Sequence, residues 1–474
     1  MKFIAFALFL LTAASATAAK PNFVFFLVDD FGWGDLGCYG SKFHETPNID
    51  KLAADGMKFT NAYSACTVCS PSRAAILTGR YPARLHLTDW IAGHGKKNPK
   101  LLIPDWKTKM DHELVTLPEA LKESGYKTQF IGKWHLMPNG KPDMDKHFPE
   151  SHGFDSNIAG REWGQPKGPG KYFAPFGMPN LDDGKKGDYL TDKLTDEAVK
   201  FVEKSKDDPF FLYFSYYTVH GPIMARPELK TKYMEKAKGF DNPQDENLNP
   251  AYAGMVESLD ESVGRVVKAL EAAGVADNTV IIFTADNGGD NEKSSGNLRG
   301  RKALSYEGGT RVAAIAKWAG KIKSGTTSDV PVIGNDFYPT ILELAGLPSK
   351  NDAHVDGVSI APVLTGKANS IDRDTLFWHY PHYHRTNPYG AIRKGDWKLI
   401  EFFEDGKLEL YDLKNDPGES TDLAEINAAK REELLKDMQA WRKSVNAQMP
   451  TKNPKYDSNS KPAPKKKKPN KKAA

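Results

Sequence analysis

Four apolar, β-rich runs constrain this chain more than any other feature: Asn22–Val28 (NFVFFLV), 127–131, 210–216 (FFLYFSY) and 280–284. They are continuous rather than alternating, so each must bury both of its faces. Strands of that kind belong to a largely parallel sheet, because crossover helices are what cover both sides. The intervening segments supply such helices. Thr46-Pro47 opens one that Gly56 closes, and Thr116-Leu117-Pro118-Glu119 has capping-box spacing before a helix ending near Gly125. Further helices are expected over 192–204, 252–273 and 336–345. From Thr375 the pattern changes to short aromatic pieces (AIRKGDWKLIEFF, KLELYDL) and then a helix over 424–446. The expected fold class is therefore α/β: a large mixed, mostly parallel sheet covered by helices over 20–372. A smaller C-terminal α+β subdomain with an antiparallel sheet follows over 373–450.

Both ends of the chain read differently. Lys2, the apolar run Phe3 to Leu11 and the small residues Ala16-Thr17-Ala18 give residues 1–19 the form of a signal peptide. That apolar run is too short to span a bilayer, and no later segment is long and apolar enough to do so. No Asn-X-Ser/Thr acceptor occurs in the chain, which fits export to a bacterial periplasm or medium. Residues 451–474, rich in Pro, Lys, Asn and Ser, read as a disordered tail. The net charge of +4 is misleading, because residues 452–474 carry nine Lys and one Asp. Setting aside that +8 and Lys2 leaves a body of net −5, and no nucleic-acid partner is expected of it.

Polar clusters follow the four apolar runs. Asp29-Asp30 follows the first, Gly132-Lys133-Trp134-His135 the second, His220-Gly221-Pro222 the third and Asp286-Asn287-Gly288 the fourth. Each alone reads equally well as a turn, a helix cap or a packed histidine. Together they fall at the carboxyl ends of strands of one sheet, where open α/β sheets bind ligands. Asp29, Asp30, Asp286 and Asn287 offer oxygen donors suited to a hard divalent cation such as Ca²⁺ or Mg²⁺. Cysteine occurs only as Cys38, Cys66 and Cys69, an odd number for an exported chain, so one thiol needs a separate fate.

Two longer motifs give that fate. Cys69-Ser70-Pro71-Ser72-Arg73, continuing to Leu77-Thr78-Gly79-Arg80, resembles the type I, formylglycine-dependent sulfatase signature C-x-P-S-R-x-x-x-L-T-G-R. Gly125 through Leu136 matches a second signature of that family, G-Y-x-T-x-x-x-G-K-W-H-L. The resemblance runs from Pro21 to about Ala424 and implies an alkaline-phosphatase-like fold and hydrolysis of sulfate esters. It implies that a separate maturation enzyme oxidises Cys69 to formylglycine, leaving Cys38 and Cys66 free or paired. It also implies that Asp29, Asp30, Asp286 and Asn287 bind the metal, usually Ca²⁺ rather than Mg²⁺, and that Arg73 orients the formylglycine. Lys133 and Lys302 would hold the sulfate oxygens, His135 would deprotonate the hydrate, and His220 would protonate or hydrogen-bond the leaving oxygen. Arg301 and Ala313 stand where relatives commonly have Gly and Pro, and both are expected at the pocket rim.

Substrate is read from the aromatic, His-rich stretch Phe377 to His384, which resembles bacterial carbohydrate sulfatases. Stacking on aromatic faces suits a sugar, and equally these residues could pack the subdomain interface. Trp90, Arg161, His382 and His384 are the expected substrate contacts, with a sulfated galactose or N-acetylgalactosamine unit as the expected glycan. Two neighbouring activities stay open: a phosphonate monoester or phosphodiester hydrolase of the same superfamily, and a broad aryl sulfatase.

Overall fold

The computed structural model describes residues 20–140, 143–242 and 248–459. The signal-peptide segment and residues 460–474 of the tail lie outside them. The main sheet is built from β1 (Asn22–Val28), β2 (Met57–Tyr63), β4 (Lys127–Gly132), β5 (Ser156–Ile158), β6 (Phe210–Ser215), β7 (Thr279–Ala285), β8 (Arg311–Lys317), β9 (Thr326–Ser328) and β10 (Val332–Ile333), with β3 (Leu101–Leu102) lying apart. Its order is β10-β2-β8-β7-β1-β6-β4-β5, with β9 on the edge of β2. Only β8 runs against its neighbours; the other pairings are parallel.

All residues of the central strands β1, β6 and β7 are buried, as continuous apolar runs require. Helices α1 (Pro47–Ala54), α2 (Cys69–Thr78), α3 (Pro82–Leu85), α4 (Leu117–Lys122), α5 (Leu190–Ser205), α6 (Pro227–Ala237), α7 (Pro250–Ala272), α8 (Glu307–Thr310), α9 (Phe337–Leu344) and α10 (Ala361–Leu364) flank the sheet. The capping box expected at Thr116 is present. Its hydroxyl accepts from the Glu119 amide at 3.4 Å, and the Glu119 carboxylate accepts from the Thr116 amide at 2.7 Å. Thr46 does not cap α1 in that way; its hydroxyl donates to Asp50 and accepts from the Gly37 amide. Pro47 at the first helical position starts that helix instead.

The C-terminal part is a four-stranded antiparallel sheet, β11 (Thr375–Tyr380), β12 (Tyr389–Lys394), β13 (Trp397–Phe402) and β14 (Leu408–Asp412), with α11 (Ala428–Ser444) packed on it. Trp378 in β11 is buried and donates to the Ser64 carbonyl at 2.8 Å, while Phe377 stacks on Trp441. Most of the aromatic stretch therefore seals the C-terminal sheet against the main one. A buried ionic cluster completes the junction. Glu307 accepts from Lys398 at 2.9 Å, Arg311 at 2.7 Å and Tyr63 at 2.7 Å, and Lys398 also pairs with Glu419 at 2.9 Å.

One expectation needs correction: the chain does not become disordered at residue 451. Thr451–Lys452 forms β15, antiparallel to β3, and Asp457 exchanges two hydrogen bonds with Asn98. A two-residue strand held by its backbone has no side-chain periodicity by which to read it. The three cysteines are all free thiols, so Cys38 and Cys66 are not paired. Lys398→Ala should cost about 3–5 kcal/mol, because it removes the cation that two buried carboxylates share and leaves Glu419 without an ionic partner. Chemical denaturation should show this as a lower midpoint with an unchanged slope.

Candidate active site

Strand register assembles the site. Val28 pairs with Ala285, Leu27 with Ser215, and Ser215 with Gly132, so β1, β7, β6 and β4 end at one level. The next residues, Asp29, Asp286 and Lys133, emerge together along that edge. Gly132 has φ +101°, and a Cβ there would lie 1.9 Å from the Ser215 carbonyl oxygen. Only glycine permits this approach, which lets the Lys133 amide donate to the same carbonyl at 2.7 Å. β2 ends on the same side and leads through a short turn to Cys69, the first residue of α2.

Three buried carboxylates meet three buried cations here. Both Nζ contacts of Lys133 go to Asp29, at 2.7 and 2.8 Å. Lys302 Nζ lies 2.6 Å from one Asp30 oxygen and 2.8 Å from the other, and 3.7 Å from Cys69 Sγ. Arg73 Nε donates to Asp286 at 2.9 Å, and Nη1 donates to the Lys133 carbonyl and the Ser215 hydroxyl at 2.9 and 2.6 Å. Cys69 Sγ and one oxygen each from Asp29 and Asp286 lie within 4.8 Å of one another; so do ligand atoms of Asp29, Asp30 and His220.

Electrostatics divide these groups. Burial raises the Asp29 carboxyl and takes Asp286 to about 6, against the pull of Arg73. At Asp30 burial is outweighed by Lys302, His220 and Lys133, which hold its carboxyl below the ordinary range. Burial pushes the Cys69 thiol up, so Lys133 and Lys302 do not make it a thiolate. It also takes His220 to about 4 and His135 well below its ordinary value, leaving both imidazoles neutral at neutral pH.

Both histidines are held in place by backbone. His135 Nε2 contacts the Ile91 carbonyl, and its amide donates to the Arg161 carbonyl at 3.0 Å. His220 Nδ1 lies 2.9 Å from the Gly221 carbonyl, and its Nε2 lies 3.4 Å from Asp30. The Tyr172 hydroxyl, 2.6 and 2.8 Å from the carbonyls of Tyr217 and His220, anchors that loop.

A cation fits this donor set. Asn287 Nδ2 donates to Asp30 and to the Gly288 carbonyl, but its buried Oδ1 has no hydrogen-bond partner among the described residues. A buried amide oxygen without a donor is costly, and a hard cation shared with the neighbouring carboxylates would satisfy it. Asp29, Asp30, Asp286 and Asn287 are thus candidate metal-binding groups by geometry as well as by type.

The expected substrate contacts divide. His382 must be withdrawn: it is fully buried, its Nε2 bonds Thr88 at 2.8 Å, and its ring packs edge-on to Trp106. Arg161 is bound to Glu162 at 3.0 Å and lies over Trp163, so its guanidinium is already engaged. Trp90 lies 6.5 Å from both His135 and His384, ring centre to ring centre. His384 also lines a surface cavity of about 610 Å³ with His94, Lys96, Arg385 and Asn387. Arg301 donates to the Asp290 carbonyl, whereas Ala313 is buried in β8 and has no place at a rim. Sequence reasoning missed Ser215, whose hydroxyl joins Arg73 to the Lys133 carbonyl; it is the one polar residue of its strand (FFLYFS).

A parallel sheet whose strand ends gather acids, cations and a helix-borne Cys69 defines a hydrolase of the alkaline-phosphatase-like fold. The family described as Sulfatase matches residues 21–347, and the one described as N-sulphoglucosamine sulphohydrolase, C-terminal, matches residues 301–448. A sulfatase of Formosa agariphila is 35% identical, with 87% of this chain and 86% of that protein covered. The human N-acetylgalactosamine-6-sulfatase is 33% identical over 89% and 85%. The solved structure of Ps i-CgsB in complex with k-i-k-neocarrahexaose superposes with a TM-score of 0.72 at 30% identity, covering 89% of this chain and 92% of that one. The chain belongs to the sulfatase family and is a sulfuric ester hydrolase.

Arg73→Ala leaves Asp29 and Asp286 buried without their guanidinium. It should cost about 3–5 kcal/mol of stability, read by chemical denaturation, and weaken metal binding in calorimetric titration.

Proposed function

We propose that this protein removes sulfate from sulfated carbohydrates, using a formylglycine made from Cys69 by a separate maturation enzyme and a Ca²⁺ held by Asp29, Asp30, Asp286 and Asn287. The observation that carries the reading is the position of Cys69. It stands at the start of α2, 3.7 Å from Lys302 and against Asp29 and Asp286, with a buried thiol that its surroundings keep protonated. A protonated thiol is a poor nucleophile. The hydrate of an aldehyde at that position supplies two hydroxyls, one to attack sulfur and one whose loss of a proton expels sulfate. A bound Ca²⁺ supplies charge neutralisation for the sulfate oxygens.

The residues of the chain do the rest. Lys133 and Lys302, now on Asp29 and Asp30, are placed to take sulfate oxygens as charge develops on them. Arg73 fixes Asp286 and the end of β4 relative to α2. Neutral His135 accepts the proton whose removal releases sulfate. His220 is neutral in the free site, so to act as the acid it would first take up a proton from solvent beside Asp30 and the anionic ester. It would then deliver that proton, or a hydrogen bond, to the departing alkoxide, which a sugar hydroxyl needs because it is a poor leaving group. Trp90 and His384 would contact the sugar at the mouth. The carbohydrate reading draws support from the N-acetylgalactosamine-6-sulfatase and the carrahexaose complex; within it we take the substrate to be a sulfated galactose or N-acetylgalactosamine unit cut in exo fashion. Residues 1–19 would direct export to a periplasm or beyond, and no helix among the described residues is long and apolar enough to cross a membrane.

Ion chromatography of sulfate released from defined sulfated mono- and oligosaccharides tests the reading. Matured protein should release sulfate, and Cys69→Ala should release none while melting normally. Turnover of phosphonate monoesters in preference to every sulfate ester would contradict it. His220→Ala should lose roughly 10²–10⁴-fold on a sugar sulfate but much less on an aryl sulfate, whose leaving group needs no acid. His384→Ala should raise KM for the glycan and leave aryl sulfate turnover unchanged.

A further inference from the structure

A second cluster of chemistry-bearing side chains lies outside the site just described. His112, His147 and His152 each offer a ring nitrogen, and the three nitrogens lie within 4.8 Å of one another. The His112 ring is stacked 4.5 Å from His147 and 4.8 Å from His152, centre to centre. His112 is exposed, whereas His147 and His152 are 2% and 1% exposed. Nδ1 of His147 and both ring nitrogens of His152 have no hydrogen-bond partner among the described residues. Buried polar atoms are rarely left bare, and three in one place call for a ligand.

We propose that His112, His147 and His152 form a second metal site, which takes a borderline divalent transition cation, Zn²⁺ foremost, with water in the fourth position.

The donor set decides the class. Neutral imidazole suits Zn²⁺ and its neighbours, while the all-oxygen set at the strand ends suits Ca²⁺, so each site selects its own ion. Burial takes His152 to about 3 and lowers His147, so protons do not compete for their lone pairs at neutral pH. Tetrahedral Zn²⁺ with nitrogens at 2.0–2.1 Å needs them about 3.3 Å apart with their lone pairs converging, so binding would turn the exposed His112 ring out of its stack on His147 and His152. Solvent reaches the cluster beside His112, where a surface cavity of about 400 Å³ opens against Leu114, Val115 and Glu119.

The surroundings give the ion a structural role. The His147 carbonyl accepts from Trp134 Nε1 at 2.8 Å, the His152 carbonyl accepts from the Thr116 hydroxyl at 2.8 Å, and Trp134 lies against the His152 ring. An ion on the three rings would clip the segment holding His112 onto the one holding His147 and His152, behind the residue between Lys133 and His135. The site takes no part in the reaction and does not depend on the sulfatase chemistry.

The test uses full-length matured protein without a histidine tag, stripped of transition metals and saturated with Ca²⁺. Calorimetric titration with Zn²⁺ should show one bound ion per chain, and Co²⁺ should give the intense visible bands of a four-coordinate complex. Zn²⁺ should also raise the melting temperature. His112→Ala removes an exposed ligand, so it should fold and keep its Ca²⁺-dependent sulfatase turnover. Its Zn²⁺ affinity should fall at least about tenfold, and the thermal shift should be lost. His147→Gln should behave in the same way toward Zn²⁺. Failure to bind Zn²⁺ in the presence of Ca²⁺, or equal affinity in His112→Ala, would overturn the proposal.

Discussion

Three carboxylates and three cations, all buried at the carboxyl edge of one sheet, impose the constraint on which the rest of the structure depends. Burying any one of these charges alone would cost several kcal/mol. They are tolerated because each has a partner fixed by backbone: Asp29 with Lys133, Asp30 with Lys302, Asp286 with Arg73. Those partners come from the residue that follows β4, from the loop before α8 and from α2, so the charge pairs also fix how these elements sit. The same pairing leaves the site ready for chemistry. A divalent cation on the carboxylates would leave the two lysines in excess, next to where an anionic ester must sit.

The junction with the C-terminal sheet obeys the same rule at a distance from the reaction. Glu307 begins α8, a few residues beyond Lys302, and is locked by Lys398 of β13 and Arg311 of β8. The C-terminal sheet thus supports the segment that carries Lys302. Its aromatic residues are spent mainly on that packing, with Tyr383 and His384 left to line the surface cavity.

Much of this was legible in the residues. The continuous apolar runs became the central strands with ends shifted by a residue or so, because a strand buried on both faces has no alternation to blur its limits. The polar clusters after them converge because register, once set, carries every strand end to one level. Less was legible where side chains carry little pattern. β2 (MKFTNAY) alternates only partly and does not stand out as a strand after the helix that Gly56 closes, and β15 has just two residues. His382 looked like a ligand because composition cannot tell an aromatic turned inward from one turned outward. The stack of His112, His147 and His152 joins residues 40 positions apart in sequence at its extremes, and no local spacing announces it.

The account rests on Cys69 becoming an aldehyde within this charge cluster. Mass spectrometry of the peptide containing Cys69, from protein isolated in a host that carries the maturation activity, addresses that claim most directly. The account predicts the mass of formylglycine or its hydrate in the fraction that turns over sulfate esters. An unmodified Cys69 thiol in fully active protein would contradict it.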